Sequence, residues 1–206
     1  MPDLDALVEE VLSHQFAEGP YTNFAKAKLN EAQGFVCAQA DFQGMLSNVD
    51  IPLVPGTGGY DLPADFSRLK LVSLIDVGDS RQSLTPLEGL SQRDFYALPD
   101  ATGTVTHYNI TRFDVGVWPV PDAAGTMRVD YYKQPATMTQ GTDEPKIPYA
   151  YHHLLVSYAL IKCFERENDY EAAMYHQNRF DTEIMKCRGE VQYDTKNAGQ
   201  PRTVSG

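Results

Sequence analysis

Apolar residues recur at helical spacing near the start of the chain and again near its end. Between these regions the period drops to two. Leu4, Leu7, Val8, Val11, Leu12 and Phe16 form the first helical stripe. Asp3 stands where its carboxylate caps the free N–H groups, and Asp5 complements the helix dipole. Glu18-Gly19-Pro20 is expected to end this helix, because Gly19 tolerates a left-handed cap and Pro20 cannot continue the ladder. A second helix is expected from Thr22 or Asn23, with Ala25, Leu29, Ala32, Val36 and Ala40 on one face and Phe24, Phe35 and Phe42 beside it. Small residues in that stripe admit a close neighbour. Gly34 weakens the helix by about 1 kcal/mol relative to alanine.

From Asn48 to about Gln134, prolines and glycines become frequent and β-branched or aromatic residues alternate with polar ones. Ile51, Leu53 and Val54 predict a short strand before the turn Pro55-Gly56-Thr57-Gly58-Gly59. Leu69 to Val77 predicts a long strand closed by Gly78-Asp79, and Ser91 to Leu98 a short helix. Val105 to Phe113 and Val115 to Val120 predict two more strands. After the turn Asp122-Ala123-Ala124-Gly125, the residues Met127, Val129 and Tyr131 alternate with Arg128, Asp130 and Tyr132, the period of a half-buried strand.

Helical character returns after Pro148. Tyr151, Leu154, Leu155, Val156, Tyr158, Ala159, Leu160, Ile161, Cys163 and Phe164 make a helix apolar around most of its circumference, central in a core or covered by a second chain. Asn168 and Glu171 have capping-box spacing for a fourth helix whose stripe is Ala173, His176, Phe180, Ile184, Cys187 and Val191. After Gln192 the apolar pattern stops, and a loose tail is expected. The fold class is therefore α+β. A four-helix bundle, 1–47 with 136–191, is interrupted by a mostly antiparallel β insertion, 48–135, and followed by an extended tail, 192–206.

Hydrophobic residues are 42% of the 206, enough for a real core, and the formal net charge is −11. That charge disfavours general phosphate binding. Arg68, Lys70, Arg81, Arg93, Arg112 and Arg128 are scattered through the insertion among acids, without a basic stripe interleaved with aromatics. Cys37, Cys163 and Cys187 each fall in an expected helix and lack C-x-x-C spacing, which predicts reduced, buried thiols. The acidic N-terminus lacks the order of a signal peptide, and no apolar run reaches the roughly 20 residues of a bilayer span.

Candidate chemistry is sparse. His152 and His153 are adjacent on a helix and point about 100° apart, while His14, His107 and His176 lie on other elements, so spacing gives no zinc site. No G-x-S-x-G elbow or Walker loop occurs, and no lysine or helix follows Pro55 to Gly59. Asp61 with Asp65, Glu9 with Glu10, and Glu165 with Glu167 are the pairs any acidic chain offers. Trp118, Tyr108, Tyr131 and Tyr132 could line a sugar platform, the alternative reading being a carbohydrate-binding or hydrolase module. Against it, Tyr131 and Tyr132 point to opposite faces of a strand. The sequence assigns no catalytic residue, metal or cofactor.

Three segments resemble the bacteriophage head-to-tail adaptor, or connector, proteins. These are Tyr60-Asp61-Leu62-Pro63-Ala64-Asp65-Phe66 before a strand, Trp118-Pro119-Val120-Pro121-Asp122 before Met127 to Tyr132 and Lys133-Gln134-Pro135, and Asp143-Glu144-Pro145-Lys146-Ile147-Pro148 leading to Tyr151-His152-His153-Leu154. The order of elements is similar to that of the tail tubular, or gatekeeper, proteins of short-tailed phages. The resemblance implies a structural virion protein at the head–tail junction, assembled in the host cytoplasm as a ring, expected to be a dodecamer. Its implied partners are the portal protein, a downstream tail or nozzle protein, further copies of itself, and genomic DNA passing without sequence-specific binding; no membrane is implied. A stopper or tail-completion protein is the neighbouring alternative. Portal contacts are expected from Thr195, Lys196, Asn197, Gln200, Pro201, Arg202 and Val204, and inter-subunit or bundle packing from Tyr151, Leu155, Tyr158, Phe180 and Ile184.

Overall fold

A computed structural model of the chain describes residues 2–14, 16, 18–75, 80–87, 94–95, 98, 101–111 and 113–197, with side chains as far as Gln192. The chain divides into two compact units. One combines Met1–Met45 with Gln134–Gly206, and the other is Leu46–Lys133.

The first unit holds four α-helices among the described residues: α1 (Leu4–Leu12), α2 (Thr22–Gln39), α3 (His152–Arg166) and α4 (Tyr170–Asn197). Asp3 caps α1, its Oδ1 accepting from the Ala6 N–H at 3.0 Å. The helix stops earlier than Gly19. It ends at Ser13, whose hydroxyl donates to the Glu10 carbonyl, so the chain turns while Phe16 is still apolar. Phe16 then folds back on Phe164 and Tyr21, ring centres 5.0 and 5.1 Å away. Gly19 does take a positive φ, 87°, in the turn before α2. α2 begins at Thr22 and buries Ala25, Leu29, Ala32 and Val36.

α3 packs on α1, α2 and α4. Its burial of Leu154, Leu155, Val156, Ala159, Leu160 and Ile161 explains why its sequence has no solvent stripe. Asn168 takes φ 61° just past its end, and Asp169 rather than Asn168 caps α4, its Oδ1 accepting from the Ala172 N–H at 3.1 Å. The expected cap is thus displaced by one residue, because Asn168 is used to terminate the preceding helix. α4 buries Ala173, Phe180, Ile184, Cys187 and Val191, while His176 is half-buried. It then continues to Asn197. The expectation of an extended tail from 192 is corrected for Gln192 to Asn197, where polar residues prolong an already nucleated helix at little cost.

The second unit contains two four-stranded sheets sharing one core. In sheet A the order is β1 (Leu46–Leu53), β10 (Gly125–Lys133), β3 (Phe66–Ile75), β4 (Arg81–Ser83). In sheet B it is β2 (Gly59–Asp61), β8 (Asp114–Trp118), β7 (His107–Ile110), β5 (Thr85–Pro86), and β6 (Thr102–Gly103) pairs separately with β9 (Val120–Pro121). Pairing is antiparallel except for β5 with β7 and β6 with β9. Ile51, Leu53, Val72, Tyr108, Val115, Val117, Met127, Val129 and Tyr131 fill the core from both sheets.

Several expected bounds move. β1 starts earlier and omits Val54, the first 105–113 strand shrinks to β7, and the 115–120 strand breaks at Pro119, which has no N–H for a ladder. Asp94 and Phe95 are helical within the expected 91–98 helix, while Gly78 and Asp79 lie outside the described residues. Tyr132, expected on the open face of β10, is buried beneath two cationic side chains.

Candidate functional site

Two of the side chains expected to pack between helices, Tyr158 and Phe180, form an aromatic cluster with Phe35. Tyr158 on α3 stacks on Phe35 of α2, centres 5.8 Å apart, and meets Phe180 of α4 edge-on at 5.8 Å. Its hydroxyl donates to Glu31 at 2.6 Å. Burial and that carboxylate push its pKa up to about 12. Lys28 first, then Tyr158, hold the Glu31 carboxyl below its usual range. Tyr151, in a 3-10 turn before α3, packs against Phe42 and donates to Glu190 of α4 at 2.9 Å. Leu155 and Ile184 are buried. Tyr151, Tyr158 and Phe180 thus make contacts within the helical unit.

The expected portal-contact residues divide. Thr195, Lys196 and Asn197 sit on the last turn of α4, whereas Gln200, Pro201, Arg202 and Val204 lie outside the described residues. Further up α4, Tyr170, Met174, Tyr175 and Met185 are exposed, outside the buried stripe of that helix. Tyr170, Met174 and Met185 share one side of α4, being 4 and 11 residues apart, and Tyr175 stands off it.

The histidines separate and pair in ways that spacing did not reveal. His152 is buried, its Nε2 3.1 Å from the Ile147 carbonyl, while His153 faces Glu183 at 3.9 Å. His176 stacks on Phe164 and meets His14 edge-on, ring centres 6.1 Å apart. Burial lowers the pKa of His152 and of His176, the latter helped by His14 and Arg179. Among the described residues no three His, Cys, Asp or Glu side chains gather at metal-binding distance. No helix among them is long and apolar enough to cross a membrane.

A cleft of about 330 Å³ in the β unit is lined by Leu53, Leu74, Val105 and Pro121, with Gln82, Thr104, Asp122 and Thr126 as polar members. Among the described residues Asp122 is its one ionisable lining residue. The four candidate platform aromatics are dispersed. Tyr108 and Tyr131 are in the core, Tyr132 lies under Arg68, and Trp118 meets His107 edge-on. The Pro55–Gly59 turn leads into β2 rather than a helix, with Tyr60 Oη bonded to the backbone at Thr57 and Val54.

A family model described as SU10 adaptor protein matches residues 4–204. No curated protein matches the sequence.

Proposed function

Because the chain belongs to the SU10 adaptor protein family, we propose that it forms a ring, a dodecamer, that joins the portal vertex of a phage capsid to the tail and continues the DNA channel. The coarse role, a structural phage adaptor, follows from the family itself. The observation that carries the finer reading is that the match spans both units, so the helical unit and its β insertion are together the adaptor. The four helices act as a bundle, and the protein works by binding rather than by catalysis. It resides in the virion at the head–tail junction after assembly in the host cytoplasm. Its partners are the portal, a downstream tail or nozzle protein, and neighbouring copies, with DNA passing through unread.

The C-terminal segment anchors it to the portal. Thr195, Lys196 and Asn197 continue α4 toward Gln200, Pro201, Arg202 and Val204, and polar segments of this kind suit ordering on a partner. Deletion of residues 198–206 leaves α4 whole and tests the anchor. The truncated chain should keep its far-ultraviolet circular dichroism and lose capture by portal rings in a pull-down. Capture at undiminished affinity would reject the anchor. Electron micrographs of the full chain with portal should show a twelve-fold ring beneath it, and a bare portal would reject the ring.

A further inference from the structure

Among the described residues, the outer strands of the two four-stranded sheets are short with one exception. β4 and β2 each have three residues and β5 has two. β1, the outer strand of sheet A, has eight. An outer strand of that length presents a row of N–H and C=O groups to whatever lies beside it, which short outer strands avoid. Beyond the ladder with β10, residues 46–53 make no backbone-to-backbone hydrogen bond with any described residue.

The register shows which groups point outward. The Leu84 N–H donates to the Val72 carbonyl at 3.0 Å, so the backbone groups of Val72 face the β4 flank of β3. Val129 lies opposite Val72, and its own groups therefore face β1. Val129 also lies opposite Val49, whose groups are thus given to β10. Backbone direction alternates along a strand, which turns the groups of Leu46, Asn48, Asp50 and Pro52 away from the sheet. Pro52 agrees, because a residue without an N–H suits the open side of an outer strand. Asn48, Asp50 and Pro52 are all exposed.

The open flank therefore offers the N–H groups of Leu46, Asn48 and Asp50 and the carbonyls of all four residues. These recur at every second residue, the repeat that another extended backbone matches. The side chains are sorted as well. Val49 and Ile51 lie on the core side, so Asn48 and Asp50 lie on the outer side. A strand laid along this flank would place apolar residues beside Val49 and polar residues beside Asn48.

We propose that residues 46–52 take up an extended segment of another protein as a fifth strand of sheet A, by strand addition. The segment alternates apolar and polar residues. It is not acidic, because a chain of net charge −11 repels an acidic one. The same charge sets one free copy against another, so the occupant is not a second β1. Pro52, with no N–H to give, ends the pairing at that side.

The test uses the full chain and, as probe, a seven-residue peptide alternating lysine and valine with both ends blocked. Amide exchange followed by NMR reads each backbone group. In the chain alone, the amides of Asn48 and Asp50 should exchange fast and those of Val49 and Ile51 slowly. With the peptide, Asn48 and Asp50 should slow at least tenfold while Val49 and Ile51 stay as they were. Asn48→Pro removes an outward N–H and leaves the β10 ladder intact, so it should weaken peptide binding at least tenfold with an unchanged thermal melt. Asn48→Thr keeps the N–H and should bind normally. A peptide alternating glutamate and valine should bind more weakly, and equal binding would overturn the charge assigned to the partner. Slow exchange of Asn48 and Asp50 in the chain alone would overturn the strand addition, because the flank would already be covered. Peptide binding that slows no alternate amide, or no saturable binding, would overturn it too. Doubled mass in native mass spectrometry, with the same alternate protection and no peptide, would reassign the flank to a second copy.

Discussion

Asn30 and Met138 hold each other by a reciprocal pair of hydrogen bonds, Asn30 Nδ2 donating to the Met138 carbonyl at 3.0 Å and the Met138 N–H to Asn30 Oδ1 at 2.7 Å. One turn along α2, Gln33 does the same for two other residues. Its Nε2 donates to the Ala136 carbonyl at 3.2 Å and its Oε1 accepts from the Lys146 N–H at 2.6 Å. Two side-chain amides thereby satisfy the backbone of a segment that belongs to no sheet. Gln33 is buried, so Gln33→Ala leaves a donor and an acceptor without partners and should cost about 1–3 kcal/mol. Asn30→Ala, closer to water, should cost less. Urea unfolding of both variants checks the order.

Stability should fall on mild acidification. Burial lowers the pKa of His152 and His176 below 6.5 in the folded chain. Between those lowered values and about 6.5 the unfolded chain binds more protons than the folded one. Their contribution is therefore complete above about pH 6.5 and declines as pH falls. The decline ends once pH has passed the folded values. His152→Gln should flatten the difference in urea midpoint between pH 7.5 and 5.5. An unchanged difference would remove His152 from the account.

The three cysteines should be silent toward thiol reagents. Burial raises Cys37 to about 12, and Cys163 and Cys187 to about 11. The reactive thiolate is then scarce at pH 8. Iodoacetamide labelling followed by mass spectrometry should proceed only as fast as the helices open. Rapid modification of Cys187 alone would reveal that α4 detaches independently.

Glycines should divide by what surrounds them. A methyl group at Gly34 or Gly189 meets nothing, and both lie inside helices, so alanine there should stabilise by about 0.5–1 kcal/mol. Alanine at Gly116 would enter the Phe95 ring, and at Gly141 it would strike the Asp5 carboxylate, which pairs with Lys26 at 2.9 Å. Both should lower the melting temperature. Thermal melts of the four variants should sort into these two pairs.

The helices and the long strands were legible because burial writes a period. The Leu4–Val11 stripe, the Asp3 cap and the Met127–Tyr131 alternation all survive in three dimensions. Positions decided by a neighbour in space were not legible. Phe16 fits the first helical stripe, yet it leaves the helix for Phe164, a residue far along the chain. Asn168 and Asp169 are both good caps, and only the end of α3 determines which serves. The extra turns of α4 carry no apolar stripe to announce them. Asp61 lies opposite Asp114 through a strand register that no local pattern encodes.

The β unit enters the chain at Leu46 and leaves at Lys133, and Leu46 is paired with Tyr132 across adjacent strands. Its two ends are thus about 5 Å apart. To the helices on either side, the whole unit occupies the place of a tight turn. It is a removable cassette, so a short hairpin closing Met45 to Gln134 should leave α1 to α4 able to assemble. Related adaptors could exchange what they display at this position without redesigning the helical frame.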